Sequence, residues 1–350
     1  MSFKLLKTNK QQVGKHLIGI AIFALLLIVV NFIPFDDYYR KIMNLSFIYV
    51  TLGLSLNLIN GYTGLFSLGH YGFMAIGAYV VAVLTMSSES KEAIFMIVPC
   101  YDWLKNIQMH YLPALLLAGL VSALLGFLIS LPVLRLNDDY LAIASMGFAE
   151  IILVLIRTQF RITNGALGLK GIPRIDSFWL YGGMALLMII FMVLLTTSRR
   201  GAALEAIRED EIAASAVGIN AFSHKVVSFT IGSFWAGVGG GLMATLIGTV
   251  NPMQFTFQLT FNILLIVVLG GMGHIWGTVV SAILVTSAME IMRFLDEPMH
   301  FLFIHSDGLP GLRMVVLSAL LMIYVIIRAT NKKRKNKPAL SKKKMEADHA

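Results

Sequence analysis

Residues 226–289 read VVSFTIGSFWAGVGGGLMATLIGTVNPMQFTFQLTFNILLIVVLGGMGHIWGTVVSAILVTSAM, a run without a single Asp, Glu, Lys or Arg. A membrane-spanning helix needs about 20 mostly apolar residues, so the run is too long for one helix. Asn251-Pro252 and Gly270-Gly271-Met272-Gly273 interrupt it, and Gly and Pro at such points mark turns. The reading is therefore three consecutive spans, near 226–249, 256–271 and 275–294. The rest of the chain repeats the pattern, with candidates near 17–33, 42–60, 65–84, 112–131, 140–157, 178–197 and 310–328. The expected fold is all-α, a polytopic membrane helix bundle of about ten transmembrane helices.

Composition leads to the same class. Of 350 residues, 57% are hydrophobic and 13% charged, with a mean hydropathy of +0.78. Soluble domains are about 45–50% apolar and about 25% charged. A water-soluble globule of this composition would expose apolar patches that soluble monomers avoid, which excludes a cytosolic enzyme or a nucleic-acid binder as the first reading. The net charge of +9 sits in the tails: Lys4, Lys7, Lys10 and Lys15 at one end, and at the other Lys332, Lys333, Arg334, Lys335, Lys337, Lys342, Lys343 and Lys344 against Glu346 and Asp348. Basic runs beside spans set topology and touch anionic lipid, so the expected surroundings are a lipid membrane and no nucleic acid. With ten spans both termini share a side, and the basic tails place it in the cytoplasm. The chain then divides into a basic cytoplasmic tail 1–16, a transmembrane domain 17–328 with a charged cytoplasmic segment 198–224, and a basic cytoplasmic tail 329–350. The first apolar stretch has no small-x-small cleavage site and reads as a retained anchor. Cys100 is the only cysteine, so neither an intrachain disulfide nor a multi-cysteine metal site is expected.

Motifs for covalent chemistry are missing. The sequence contains no His-Glu-x-x-His, no phosphate-binding loop and no Gly-x-Ser-x-Gly, and Asp138-Asp139 lacks the second acidic cluster of a two-metal site. The glycine runs at 237–241 and 270–273 lie in apolar helical context rather than after a strand, which excludes a dinucleotide loop. The expectation is a protein that is not itself an enzyme, with no metal and no cofactor of its own; any ATP and Mg would be bound by another subunit.

One segment concentrates charge. From Ser198 to Asn220 the chain is rich in Ala and Glu and should be helical, with Gly201 and Gly218 bracketing the run and Gly218 suited to a C-cap. Seven of the thirteen residues from 199 to 211 are charged. A solvated connector is one explanation, but a connector needs only a few residues. The other is a helix that docks into a groove on a soluble partner.

The residues Asn60-Gly61-Tyr62-Thr63-Gly64-Leu65-Phe66-Ser67-Leu68-Gly69-His70, with Phe73, Gly77, Ala78 and Tyr79, form a first motif. Thr163-Asn164-Gly165-Ala166-Leu167-Gly168-Leu169-Lys170-Gly171-Ile172-Pro173 form a second. The Arg200–Asn220 segment, with the Gly270–His274 turn, is the third. On these motifs the chain, from about residue 40 to 325, resembles the LivM-type permease subunit of bacterial ATP-binding-cassette importers for branched-chain amino acids. The resemblance implies a bacterial inner-membrane importer permease working with a homologous second permease, two ATPase subunits and a periplasmic substrate-binding protein. It implies that residues 199–220 are a coupling helix seated in a cleft of the ATPase, through Arg200, Gly201, Glu205, Arg208, Glu209, Asp210, Glu211, Ala213, Ala214 and Gly218. The family's Glu-Ala-Ala-x-x-x-Gly pattern is met by Ala213, Ala214 and Gly218, while Glu211 stands one place early. The basic 161–174 loop, with Arg161, Thr163, Asn164, Gly165, Lys170 and Arg174, falls outside against the charge rule and is where the resemblance expects the binding protein to dock.

For the substrate pathway the candidates are Gly61, Thr63, Gly64, Ser67 and Gly69, whose small side chains suit either an unwound pore-lining backbone or tight packing. Glu150, an acid well inside a span, is either functional or satisfied by a bundle partner such as a basic residue. Glu290 is expected to pair with Arg293. His70 and His274 follow similar glycine-rich turns, which hints at an internal repeat of spans 2–5 and 7–10. Two rival functions remain: a permease of the same family for urea or short amides, and a secondary transporter driven by an ion gradient.

Overall fold

The computed structural model describes residues 2–33, 36–96, 98–136, 138–295, 299–301, 304–306, 315–316 and 318–319. Most of the expected span 310–328, the last of a 2–5/7–10 repeat, and all of the tail 329–350 lie outside the described residues.

Contacts divide the chain at Leu284. The first unit is built from α1 (Ser2–Phe32), α2 (Asp37–Leu56) running on into a π-helical turn (Asn57–Tyr62), α3 (His70–Thr85), the short α4 (Ser88–Ile94) and α5 (Asp102–Lys105), α6 (Tyr111–Val133) and α7 (Asp138–Thr158). It continues with α8 (Phe160–Thr163), α9 (Phe178–Thr196), α10 (Arg199–Glu209), α11 (Glu211–Ala216), α12 (Ala221–Ile247), α13 (Phe257–Gly270) and most of α14 (Ile275–Ile291). Among the described residues, seven helices are long and apolar enough to cross a membrane. α3 and α4 are long and apolar enough only together, as a pair bent by 118°, either a broken span or a re-entrant loop, and α14 is a shorter apolar helix. Nine of the ten stretches expected from hydropathy are thus helical, and the protein is an all-α, multi-pass membrane protein. Two boundaries differ from expectation. α1 begins at Ser2, so the basic tail 1–16 continues the first span as helix rather than preceding it. The third span starts at His70 instead of 65, because residues 63–69 are irregular.

α12 lies at the centre, packed on α3, α6 and α2. Its glycines are points of close approach. A Cβ on Gly77 of α3 would lie 1.9 Å from the Gly237 carbonyl oxygen, and one on Gly240 would lie 2.0 Å from that of Met74. The two backbones touch, which is how helices gain dispersion energy in lipid, where water supplies no drive for apolar surfaces to associate. The hydroxyl of Ser122 on α6 donates to the Phe73 carbonyl at 3.2 Å across the same junction.

The polarity of the surface is inverted relative to a soluble protein. On α6, Leu116, Leu120 and Leu124, spaced one turn apart, are more than half exposed, while Ser122 and Ser130 are fully buried. In hydrocarbon the apolar side chains can face the solvent, and hydroxyls must turn inward to find a carbonyl. α1 is the least buried of the spans and presents Leu17, Ile18, Leu25 and Leu26 outward.

The second unit, Val285–Ala350, contains the end of α14, a 3-10 turn (Met292–Leu295) and an antiparallel pair, β3 (Met299–Phe301) with β4 (Ile304–Ser306), in which His300 faces His305. Glu290 pairs with Arg293 at 3.2 Å, as its three-residue spacing implies.

Candidate functional site

α12 is about 40 Å long at 1.5 Å per residue. The two segments singled out in the sequence sit at its opposite ends. The charged segment 198–220 leads into Ala221, and the 161–174 loop meets the strand β2 (Thr249–Val250) just beyond Ile247.

At the Ala221 end the charged segment is an elbow of two helices rather than the single helix expected. Ser198 caps α10 by accepting from the Gly201 amide at 3.3 Å. α10 stops at Asp210, whose backbone is extended (φ −159°, ψ 108°) and whose carboxylate accepts from the amides of Ile212 at 2.9 Å and Ala213 at 3.0 Å. Asp favours an N-cap over a helix interior, because its side chain competes for exactly the amides a new helix leaves free. α11 ends as the sequence indicates. Gly218 takes φ +87°, its amide bonds to Ser215 O, and the Ile219 amide bonds to Ala214 O, the paired bonds of a Schellman cap. Leu204, Ile207 and Ala214 turn inward, with Ile207 and Ala214 packed against Ala221. Arg200, Glu205, Glu209, Asp210, Glu211 and Ala213 face out, and so do Ile212 at 84% and Val217 at 77% exposure. Two exposed hydrophobics on a segment that also exposes four acids form a surface suited to a protein partner. Glu211 holds Lys225 at 2.6 Å, which braces the elbow against the first turn of α12. Gly201 is needed for packing: a Cβ there would lie 2.5 Å from the carbonyl oxygens of Leu195 and Thr196.

The first motif folds next to this elbow. Asn57, fully buried, opens the π-turn and reaches across to the α13–α14 turn. Its Oδ1 accepts from the Gly273 amide at 2.9 Å, and its Nδ2 donates to Thr278 Oγ1 at 2.9 Å and to His274 O at 3.4 Å. The Thr63 amide bonds to Leu58 O, and its hydroxyl lies against Ser228. Ser67 is clasped by Asn60, whose Oδ1 accepts from the Ser67 amide. A Cβ on Gly69 would lie 2.2 Å from Ser145 O. Of the pathway candidates on this motif, Gly61, Thr63, Ser67 and Gly69 are therefore buried in packing, and Gly64 is exposed. The helix is locally broken here, and the small residues serve close approach. Glu150 is half-buried on α7 and accepts from the Tyr71 hydroxyl at 2.8 Å, so its partner is a phenol rather than the basic residue expected. His70 is buried with Nε2 2.8 Å from Ser55 Oγ, whereas His274 is exposed; their settings differ, contrary to the sequence hint. An open cleft of about 810 Å³ adjoins the elbow, lined by Lys15, His16, Tyr62, Arg199, Glu205 and Trp276 among others.

At the far end of α12 the second motif builds a compact loop. Asn164 adopts the left-handed conformation (φ 58°) and its Nδ2 donates to Gly168 O at 3.0 Å. Thr163 donates to Ile156 O and Gln159 O, and Thr163, Asn164 and Gly165 are all buried. They shape the loop from within. Arg161, Lys170 and Arg174 remain exposed. Arg174 Nε donates to Ile247 O at 3.1 Å, and Arg161 lies over the Tyr101 ring at 5.4 Å. Lys170 sits in β1 (Leu169–Lys170) opposite Thr249. Lys91, buried, donates to Leu104 O at 2.9 Å and to Ile107 O, closing the turn after α5.

Asn57 and Lys91 are functional-looking residues that the sequence reading passed over. Asn57 carried a signal, a polar amide inside an apolar span; Lys91 carried none.

Among known proteins, the family described as branched-chain amino acid transport system / permease component matches residues 38–325. The chain is 35% identical over 290 residues to the high-affinity branched-chain amino acid transport system permease protein LivM of Salmonella typhimurium, and 34% to that of Escherichia coli strain K12. Each alignment takes in 73% of this chain and 64% of the relative, so the chain spans slightly under two thirds of their length. A third relative, the permease protein LivH of Salmonella typhimurium, is 21% identical over 254 residues, 67% of this chain and 79% of LivH. No solved structure matches. A bundle of apolar spans with an acidic elbow at one end of its central helix, matched over residues 38–325, belongs to the family of branched-chain amino acid transport permease components.

Proposed function

We propose that this chain is the membrane-spanning permease subunit of an ATP-driven importer that carries branched-chain amino acids across the bacterial inner membrane. The observation that carries the reading is the α10–α11 elbow, a built and capped surface that presents Ile212 and Val217 after a run of exposed acids, within a chain that belongs to a transport-permease family. ATP and Mg are bound by two separate ATPase subunits, and the elbow seats in a cleft of one of them. A homologous second permease completes the pathway, in keeping with the LivM and LivH names that Salmonella typhimurium proteins similar to this chain carry. Both termini and the elbow face the cytoplasm, and the bundle has about ten spans. The exposed Arg161, Lys170 and Arg174 at the other end of α12 meet acidic patches on a periplasmic binding protein. The permease performs no bond chemistry; it contributes two conformations whose relative stability changes when ATP closes the ATPase dimer.

The test is ATP hydrolysis and uptake in proteoliposomes holding this chain with its neighbouring permease, ATPases and binding protein, titrated with leucine and then urea. Leucine-stimulated hydrolysis that is lost in Ile212→Glu supports both the importer and the elbow as its docking surface. Stimulation by urea alone would keep the architecture and overturn the substrate. Absence of any ATPase association would favour a gradient-driven transporter.

A further inference from the structure

Among the charged residues of 199–211, Arg208 is the most enclosed, with 28% of its side chain exposed against 64% for Glu205 and 71% for Glu209. Its Nη1 donates to the Gly61 carbonyl at 2.9 Å, linking the last turn of α10 to the π-turn of the second span. Nη2 is held by Glu209 at 2.8 Å, so the planar fork is fixed from outside as it reaches inward. The surroundings are shaped for it. A Cβ on Gly273 would lie 2.5 Å from Nη1, and one on Gly64 would lie 3.0 Å from Arg208 Cγ. A Cβ on Gly61 would strike Asn57 Oδ1 and the Gly273 amide. Glycines from the first motif and from the Gly270–His274 turn thus make one collar around a guanidinium from the charged segment.

What the fork holds is a π-turn, a rare geometry that costs hydrogen-bond quality and clusters at functional sites. Here the Thr63 amide bonds five residues back to Leu58 O, and the Leu65 amide bonds to Ile59 O. The Gly61 carbonyl lies at the C-terminal end of this helix, where partial negative charge collects and a cation is favourable. Asn57 secures the start of the turn to Gly273 and Thr278, and Arg208 secures its end.

We propose that Arg208 is a positioning residue that latches the Asn57–Tyr62 π-turn to the elbow, so that movement of the elbow releases the Gly61 carbonyl and lets residues 63–69 rearrange. The latch is a property of this chain alone; its use in transport rests on the importer reading above. It gives the ATPase a route into the bundle that does not require the whole elbow to carry α12 with it.

The test compares wild type with Arg208→Ala and Arg208→Lys. Amide hydrogen exchange on the full chain in nanodiscs should show Thr63 and Leu65 exchanging about tenfold faster in Arg208→Ala, the scale of one charge-assisted hydrogen bond, with α6 and α9 unchanged. Arg208→Lys, which keeps a donor and the charge, should recover part of the protection. In the assembled complex, uptake per ATP should fall several-fold in Arg208→Ala, with ATPase association measured alongside. Unchanged exchange at Thr63 and Leu65 overturns the latch, whatever transport does. Faster exchange with uptake per ATP equal to wild type overturns its role in coupling, and loss of ATPase association with unchanged exchange makes Arg208 a docking contact instead. If the wild-type assembly shows no ATP-driven uptake, the importer reading fails, and the exchange comparison still decides the latch.

Discussion

Gly77→Ala adds one methyl group at the crossing of α3 and α12, and the structure sets its cost. The new Cβ would stand 1.9 Å from the Gly237 carbonyl oxygen and 2.5 Å from that residue's Cα. An ordinary contact needs about 3.4 Å, so the helices must part by roughly 1.5 Å at the crossing, since the obstacle is backbone and cannot rotate away. A crossing of this kind holds about as many atom pairs as one buried leucine makes, roughly 40–60 at 0.1–0.2 kcal/mol each, and a gap of this size forfeits half of them or more. After relaxation, and after crediting the better helix propensity of Ala, the expected loss is about 2–4 kcal/mol. The control is the same substitution where it meets nothing. Gly183 on α9 and Gly147 on α7 have no atom within 4 Å of an added Cβ, so Gly183→Ala and Gly147→Ala should be neutral or stabilising by up to about 1 kcal/mol. Thermal unfolding of the detergent-solubilised chain should place Gly77→Ala several degrees below wild type and both controls at or above it. Equal shifts for all three would refute the packing argument, because helix propensity alone treats them alike.

Three further outcomes are expected. Asp210→Ala should remove the cap of α11, at about 1 kcal/mol, and speed exchange of the Ile212 and Ala213 amides about fivefold, whereas Asp210→Asn should hold both near wild type; identical behaviour of the two variants would contradict the capping role. Glu150→Gln keeps an acceptor for the Tyr71 hydroxyl, so ATP-driven uptake should stay within about twofold of wild type, and abolition of uptake would restore Glu150 as a functional acid. Burial pushes the Cys100 thiol above its ordinary range. Because the thiolate is the nucleophile, a raised pKa means less of it at pH 8 than in free cysteine. Iodoacetamide alkylation, followed by mass spectrometry, should therefore lag free cysteine at pH 8 and keep rising with pH after the free thiol levels off; an earlier plateau would contradict the burial effect.

The glycine runs show how far composition and pattern carry. Charge-free length, Gly and Pro punctuation and hydropathy sufficed to place the spans, since a backbone in hydrocarbon has few ways to satisfy its hydrogen bonds and the helix is one that short-range sequence encodes. The elbow was legible for a related reason: Ala and Glu favour helix, and Gly218 stands where a left-handed cap is needed. Its break at Asp210 was not read, although the cap chemistry is local and an Asp between the Ala202-Ala203 and Ala213-Ala214 runs was available as a signal.

What pattern reading left open depended on distance. Whether Gly61 served packing or an unwound turn was undecidable from its neighbours, because the answer lies in Arg208 and Gly273, far along the chain. Glu150 looked like a candidate for a cation partner until Tyr71, from another span, met it. Of the six residues singled out in the 161–174 loop, Thr163, Asn164 and Gly165 are buried and Arg161, Lys170 and Arg174 exposed, a division no local pattern announced. By itself the sequence determined a multi-pass helical membrane protein and the location of its charged elbow, both consequences of solvent and of interactions within a few residues. Only the tertiary structure decided which small residues are contacts, which polar groups are partnered, and that glycines from two distant stretches converge on one guanidinium, because such pairings are made between segments whose sequence separation carries no local signal.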